Sequence, residues 1–160
     1  WAQKLGAKSV TVIGRTEDKK VIADSIPGVK YLTVNQVSEE YDVVLEAVGS
    51  NKAIDLSVNI VKPAGKLVLM GNPEGDILFK QASYWRILRK QLQVVGTWNS
   101  SYENGQPCDW TEVKEALTNN DIEAKSLISH YFKQDELSRG LSLMKDHKEP
   151  YCKVITLWNE

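Results

Sequence analysis

Four apolar runs that end in or carry glycine constrain this chain more than any other feature. They are SVTVI before Gly14, DVVLEAV before Gly49, KLVLM before Gly71 and LQVVGTW around Gly96. Each is apolar at nearly every position rather than at alternate ones, the pattern of a strand covered on both faces. Amphipathic stretches separate the runs. Residues 9–13 read as a strand. Thr16, followed by Glu17 and Asp18, opens a helix that runs to residue 25 and is stopped by Pro27-Gly28. Strands follow at 30–34 and 42–48, then a helix at 51–61 that Lys62-Pro63-Ala64-Gly65 breaks. Further strands at 66–70, 92–98, 127–132 and 151–157 are interspersed with helices at 81–90, 110–118 and 134–145. Residues 99–107 form a polar loop. Buried strands interspersed with helices predict an α/β fold of the Rossmann type, a doubly wound parallel sheet with right-handed crossovers.

Composition narrows the functional classes. The 160 residues are 42% hydrophobic and 26% charged, an ordinary globular balance. A folded chain of this mass keeps about 8,000 Å² of surface. The net charge is −1, and neither half carries an excess of either sign. No basic face exists for nucleic acid or an anionic membrane surface, and no apolar run is long enough to span a membrane. The two cysteines, Cys108 and Cys152, exclude a disulfide scaffold and a Cys-x-x-Cys metal knuckle, and point to a reducing, cytoplasmic setting.

Residues 1–5 read as the last turns of a helix, with Gly6 just past its end. None of the ten glycines forms a Gly-x-Gly-x-x-Gly loop, the element whose backbone N–H groups reach a pyrophosphate at a helix start. The chain is therefore expected to be a fragment lacking a first strand and its glycine-rich loop. In the strand order 3-2-1-4-5-6 the first strand is central. Residues 9–13 and 42–48 would flank the gap, and are expected to close it by pairing directly or around another segment.

Ligands of doubly wound sheets bind at the carboxyl ends of the strands. Candidate contacts there are Gly14, Arg15 and Thr16; Ala47, Val48 and Gly49; Met70, Gly71 and Asn72; and Thr97 with Trp98. Glycine lets a ligand approach the backbone, but it also punctuates ordinary turns. Arg15 reads equally as a solvated loop residue and Trp98 as a core aromatic. Arg86, Arg89 and Lys90, with Lys80 nearby, share a helix face that would suit a phosphate-bearing ligand or simply face water. Ser129-His130 is not a nucleophile motif without a partner acid, and His130 and His147 form no His-x-x-x-His pair.

Taken in order, WAQKLGAKSVTVIGR, DVVLEAVGS, KPAGKLVLMGNP and ILRKQLQVVGTWNSSY resemble the cofactor domain of the zinc-dependent medium-chain dehydrogenase/reductase family, nearest its polyol-phosphate branch. The resemblance implies a nucleotide-binding domain over residues 1–125, and a C-terminal segment, 126–160, returning toward a catalytic domain. It implies metal-assisted hydride transfer between a polyol or polyol phosphate and NAD or NADP, with zinc held by residues outside this chain. The family reads the adenosine ribose at the tip of the second strand, where an acid favours NAD. Gly14 stands there instead, and Arg15 beside it offers a cation to a 2′-phosphate. Ala47, Val48 and Gly49 would line the adenine side, with Met70, Gly71, Asn72, Thr97 and Trp98 flanking the nicotinamide. Asp76, Ile77, Leu78 and Phe79 resemble the short strand that pairs subunits, so a homodimer is expected. No catalytic or metal-binding residue is assigned. Two other readings remain: a non-catalytic Rossmann-like fragment acting only in assembly, and another doubly wound nucleotide binder such as a methyltransferase.

Overall fold

The computed structural model describes residues 1–147 and 149–158. The chain divides into two compact units, Trp1–Val37 with Tyr102–Glu160, and Ser38–Ser101. These units cut the chain elsewhere than the boundary at residues 125–126 implied by the family resemblance.

In the first unit β1 (Val10–Gly14) pairs in parallel with β2 (Val29–Thr33). Between them a 3-10 turn at Glu17–Lys19 leads into the short helix α1 (Lys20–Asp24), which packs on β2. The sequence expectation of a longer helix here is cut down, and the acids Glu17 and Asp18 sit in the 3-10 turn. The N-terminal turn does end as a helix end. Gly6 takes φ +92°, its N–H donates to Gln3 O (2.9 Å), and Ala7 N–H donates to Ala2 O (2.9 Å). That pair of bonds is the Schellman arrangement, which needs a left-handed residue at the Gly6 position. Helix α4 (Asp109–Thr118) follows the 102–108 loop. Helix α5 (Leu137–Asp146) packs on the parallel pair β6 (Ile128–Lys133) and β7 (Lys153–Leu157). Gly140 lets α5 close onto Phe132, whose ring a Cβ there would meet at 3.0 Å.

The second unit is a parallel three-stranded sheet in the order β3 (Tyr41–Glu46), β4 (Val61–Leu69), β5 (Gln93–Gly96). Helix α2 (Asn51–Ile60) packs on β3 and β4 and against α3 (Gln81–Arg89). Its start is capped by Ser50, whose hydroxyl accepts from Ala53 N–H at 3.2 Å. Asp55 on α2 ties down α3: it accepts from Ser83, which is 1% exposed, and from Lys80 at 3.3 Å. The Ser83 hydroxyl, first, and the Lys80 ammonium hold the Asp55 carboxyl below its usual range.

Helix α2 does end ahead of Lys62-Pro63-Ala64-Gly65, as expected, but the strand expected from residue 66 starts earlier and β4 runs through this segment. Tyr41 pairs with Val61 but Val43 with Lys66, so the extra residues of β4 are absorbed as an irregularity in the ladder. Ala64 adopts φ +59° within it, and its N–H donates to Lys90 O at 2.7 Å.

The pairing expected between residues 9–13 and 42–48, directly or around another segment, does not occur among the described residues. Strand β1 pairs with β2 alone and β3 with β4 alone. Among the described residues the strands are parallel throughout, but they form three separate sheets. Direct pairing would have made β1 and β3 immediate neighbours, whereas in the 3-2-1-4-5-6 order a further strand stands between them. On β3, Val44 and Glu46 are buried on one face while Val43 and Leu45 on the other are 61% and 57% exposed.

Lys90 is the fastening at the amino end of the second unit's sheet. Its Nζ donates to Asn59 O (2.8 Å), Val61 O (2.7 Å) and Glu40 Oε1 (2.7 Å). It thus satisfies carbonyls left over at the end of α2. Replacing Lys90 by Met is expected to cost about 1.5–3 kcal/mol, the worth of charge-assisted hydrogen bonds. Arg86→Ala on the same helix should stay within about 0.5 kcal/mol of wild type. Urea unfolding of the two variants measures the difference.

Candidate functional site

The carboxyl ends of β3, β4 and β5 meet along one edge of the second unit, and Glu46 organises that edge. Its backbone C=O accepts the N–H of both Met70 (2.9 Å) and Gly71 (3.0 Å). Thr97 N–H donates to Leu69 O at 3.0 Å, which carries the alignment on to β5. The Glu46 side chain is 3% exposed. Its Oε1 accepts from Val48 N–H (2.8 Å) and Gly49 N–H (2.9 Å), turning the chain sharply after β3.

Two glycines make this edge possible. Gly49 has φ +77°, and a Cβ on it would lie 2.6 Å from the Asn72 carbonyl carbon. A Cβ on Gly71 would lie 2.1 Å from Gly49 N and 2.7 Å from Glu46 Oε2. The loops after β3 and β4 therefore touch backbone to backbone, which a side chain would prevent. Gly96 differs: a Cβ there meets nothing within 4 Å.

Around this edge Ala47, Val48, Met70, Asn72, Thr97 and Trp98 are exposed, Trp98 to 71%. Trp98 is thus not a core aromatic. The expected contacts of the second unit do share the end of one sheet. Glu46 was not among them, although an acid inside the apolar run DVVLEAV is the signal that marks it.

In the first unit Gly14 ends β1 for a steric reason. A Cβ there would lie 1.8 Å from the Tyr31 hydroxyl, which crosses over to donate to Thr16 O at 2.5 Å. Burial, and then the charges of Glu17 and Asp18, push the Tyr31 phenol up and keep it a donor. Arg15 and Thr16 are exposed beyond it, and the Thr16 hydroxyl donates to Asp18 Oδ2 at 2.7 Å.

Other candidates resolve into structural roles. Lys80 and Lys90 are engaged as described above, and Arg89 lies over the Trp85 ring at 4.4 Å. Of the basic cluster on α3, Lys80, Arg89 and Lys90 are thus engaged, while Arg86 is exposed. Ser129 Oγ bridges β6 and β7: it donates to Lys153 O (3.1 Å) and accepts from Cys152 N–H (3.0 Å). His130 does face an acid, Glu149, at 3.6 Å, and its Nδ1 lies 2.9 Å from Ser129 Oγ. With its proton given to a backbone carbonyl, Ser129 is a strand tie rather than a nucleophile. Cys108 starts α4, where backbone N–H groups, that of Thr111 first, lower its thiol pKa. Both cysteines are free. Among the described residues no group of three or more His, Cys, Asp or Glu could hold a metal, so the residues present do not fit a zinc ion. None of the described helices is long and apolar enough to cross a membrane.

The fold and this glycine-lined sheet end define a class. The family model described as zinc-binding dehydrogenase matches residues 1–119, and the chain belongs to that family. It is 28% identical over 140 residues to the galactitol 1-phosphate 5-dehydrogenase of Escherichia coli K12, covering 81% of this chain and 40% of the relative. The chain thus spans well under half the length of that curated relative. The crystal structure of the E. coli galactitol-1-phosphate dehydrogenase superposes with a TM-score of 0.78 at 26% identity, over 96% of this chain and 47% of that one. Two more distant structures share the fold. One is a short chain alcohol dehydrogenase from E. coli CFT073 complexed with NADH (TM-score 0.77, 19% identity, 97% and 46% covered). The other is S. aureus TarJ in complex with NADPH (0.75, 20%, 99% and 50%).

The close loop contact gives a direct check. Gly71→Ala is expected to destabilise by about 1–3 kcal/mol, because its Cβ meets backbone that cannot step aside. Gly96→Ala should be within about 0.5 kcal/mol of wild type. Thermal unfolding of both variants measures this.

Proposed function

We propose that this chain is the cofactor-binding part of a polyol or polyol-phosphate dehydrogenase, an oxidoreductase that moves a hydride between a secondary alcohol and NAD or NADP. Residues 1–125 carry the nucleotide side, and 126–160 return toward a catalytic domain. The reading rests chiefly on the aligned carboxyl ends of β3, β4 and β5 and their backbone-to-backbone glycines, in a chain of the zinc-binding dehydrogenase family. Bound there, a nicotinamide dinucleotide supplies hydride acceptance. The chain's own residues bind and orient: Val48 on the adenine side, and Met70, Asn72, Thr97 and Trp98 beside the nicotinamide. No step is assigned to zinc, for which the described residues offer no ligand set.

Arg15 decides the cofactor in this reading. It is exposed next to a glycine, where a guanidinium receives a 2′-phosphate. In the full-length protein carrying this segment, Arg15→Ala should weaken NADP binding by about 1.5–3 kcal/mol and leave NAD unchanged. Calorimetric titration with both cofactors tests it. Equal losses for both, or no dinucleotide binding by the wild type, would overturn the assignment.

Assembly is the second element of the proposal. Residues 76–79 belong to no helix or strand and are pegged by Asn51: Leu78 N–H donates to Asn51 Oδ1 at 2.8 Å. Leu78 is 75% and Phe79 45% exposed. We assign Asp76, Ile77, Leu78 and Phe79 to a two-fold homodimer contact, a way to cover apolar side chains held outward. Light scattering should give a dimer mass that Leu78→Asp converts to monomer.

A further inference from the structure

We infer that Glu46 is a positioning residue of the cofactor site, one that sets the shape of the β3 turn and withdraws its amides from the ligand; this rests on the reading above. Three observations carry it. The side chain is buried although it belongs to an acid in an apolar strand. Its Oε1 takes both N–H groups, of Val48 and Gly49, that the turn points inward. Its Oε2 lies against Gly71, where a Cβ would meet it at 2.7 Å. The same residue therefore joins the loop after β3 to the loop after β4, through its carboxylate and through the backbone carbonyl that receives Met70 and Gly71.

The chemical consequence is selective. Successive backbone N–H groups at a strand end commonly form an anion-binding concavity. Here an internal carboxylate fills it. The Val48 and Gly49 N–H groups are thereby not offered to a phosphate of the ligand. What the turn presents outward is the Val48 side chain, 65% exposed, a surface for a ring or ribose. A shift of the turn displaces Val48 and, through Gly49, Asn72. A misplacement of about 1 Å at a ligand contact is enough to cost up to two orders of magnitude.

Both hydrogen bonds fall on one oxygen, and this makes the test discriminating. Glu46→Gln keeps an acceptor in the Oε1 place; Glu46→Asp draws it back by one methylene; Glu46→Ala removes it. Dissociation constants for NAD and NADP are measured on the full-length protein by calorimetry, well below each variant's unfolding temperature. Glu46→Ala is expected to bind about tenfold more weakly or worse, Glu46→Asp several-fold more weakly, and Glu46→Gln within about twofold of wild type. Lys90→Met, which loosens the opposite end of the same sheet, lowers the unfolding temperature without changing the dissociation constants. That control separates positioning from mere stability. Should Glu46→Ala fail to fold, the graded loss in Glu46→Asp against rescue in Glu46→Gln carries the result. Wild-type affinity in folded Glu46→Ala or Glu46→Asp, or a loss in Glu46→Gln as large as in Glu46→Asp, overturns the inference and leaves the cofactor reading standing. Absence of dinucleotide binding by the wild type overturns both.

Discussion

The second unit hangs on a carbonyl and a carboxylate of one residue at one end and an ammonium at the other. At the carboxyl end, Glu46 aligns β3 with β4 through Met70 and Gly71 and folds its own loop back through Val48 and Gly49. At the amino end, Lys90 gathers Glu40, Asn59 and Val61. Two charges of opposite sign are thus placed where helix and strand termini leave donors and acceptors without partners. Glu46 takes up backbone N–H dipoles alone, and Lys90 takes up two backbone carbonyls besides the Glu40 carboxylate. For that reason each is worth more than an exposed ion pair such as Lys62–Asp42, whose lysine and aspartate side chains are 46% and 84% accessible.

Surface is the other constraint. Val43 and Leu45, at more than half exposure, occupy strand positions whose sequence reads as doubly buried. The sequence pattern and the observed burial disagree at these positions, and both are correct statements. The pattern records a strand adapted to be covered on two faces. The structure records one face covered, by α2.

Much of the fold was legible because local chemistry decided it. Gly6 announced a left-handed helix end, and Pro27-Gly28 the stop before β2. The apolar runs placed the strand ends to within two residues, apart from the start of β4, which lies at Val61 rather than residue 66. What failed depended on distant partners. Lys62-Pro63-Ala64-Gly65 does end α2, but its membership of β4 was not legible, because the Lys90 carbonyl that accepts the Ala64 N–H lies far along the chain. The basic cluster on α3 looked like one face from spacing alone. Whether a lysine is available depends on acids elsewhere, and Asp55 and Glu40 claim two of them.

The candidate site shows the same division. Gly49 and Gly71 were visible as glycines, but not the reason for them, a contact between two loops more than twenty residues apart. Glu46 was hidden because an acid in an apolar run is ordinarily discounted as an exposed interruption. Burying a carboxylate without a partner is prohibitive. An acid at a strand position that alternation places inside must therefore have found donors, and at a strand end the nearest donors are the amides of the turn that follows. By that argument the pattern DVVLEAVG itself specifies a carboxylate folded back on its own loop. The two amides of that turn, Val48 and Gly49, are then taken by the chain itself before any ligand arrives.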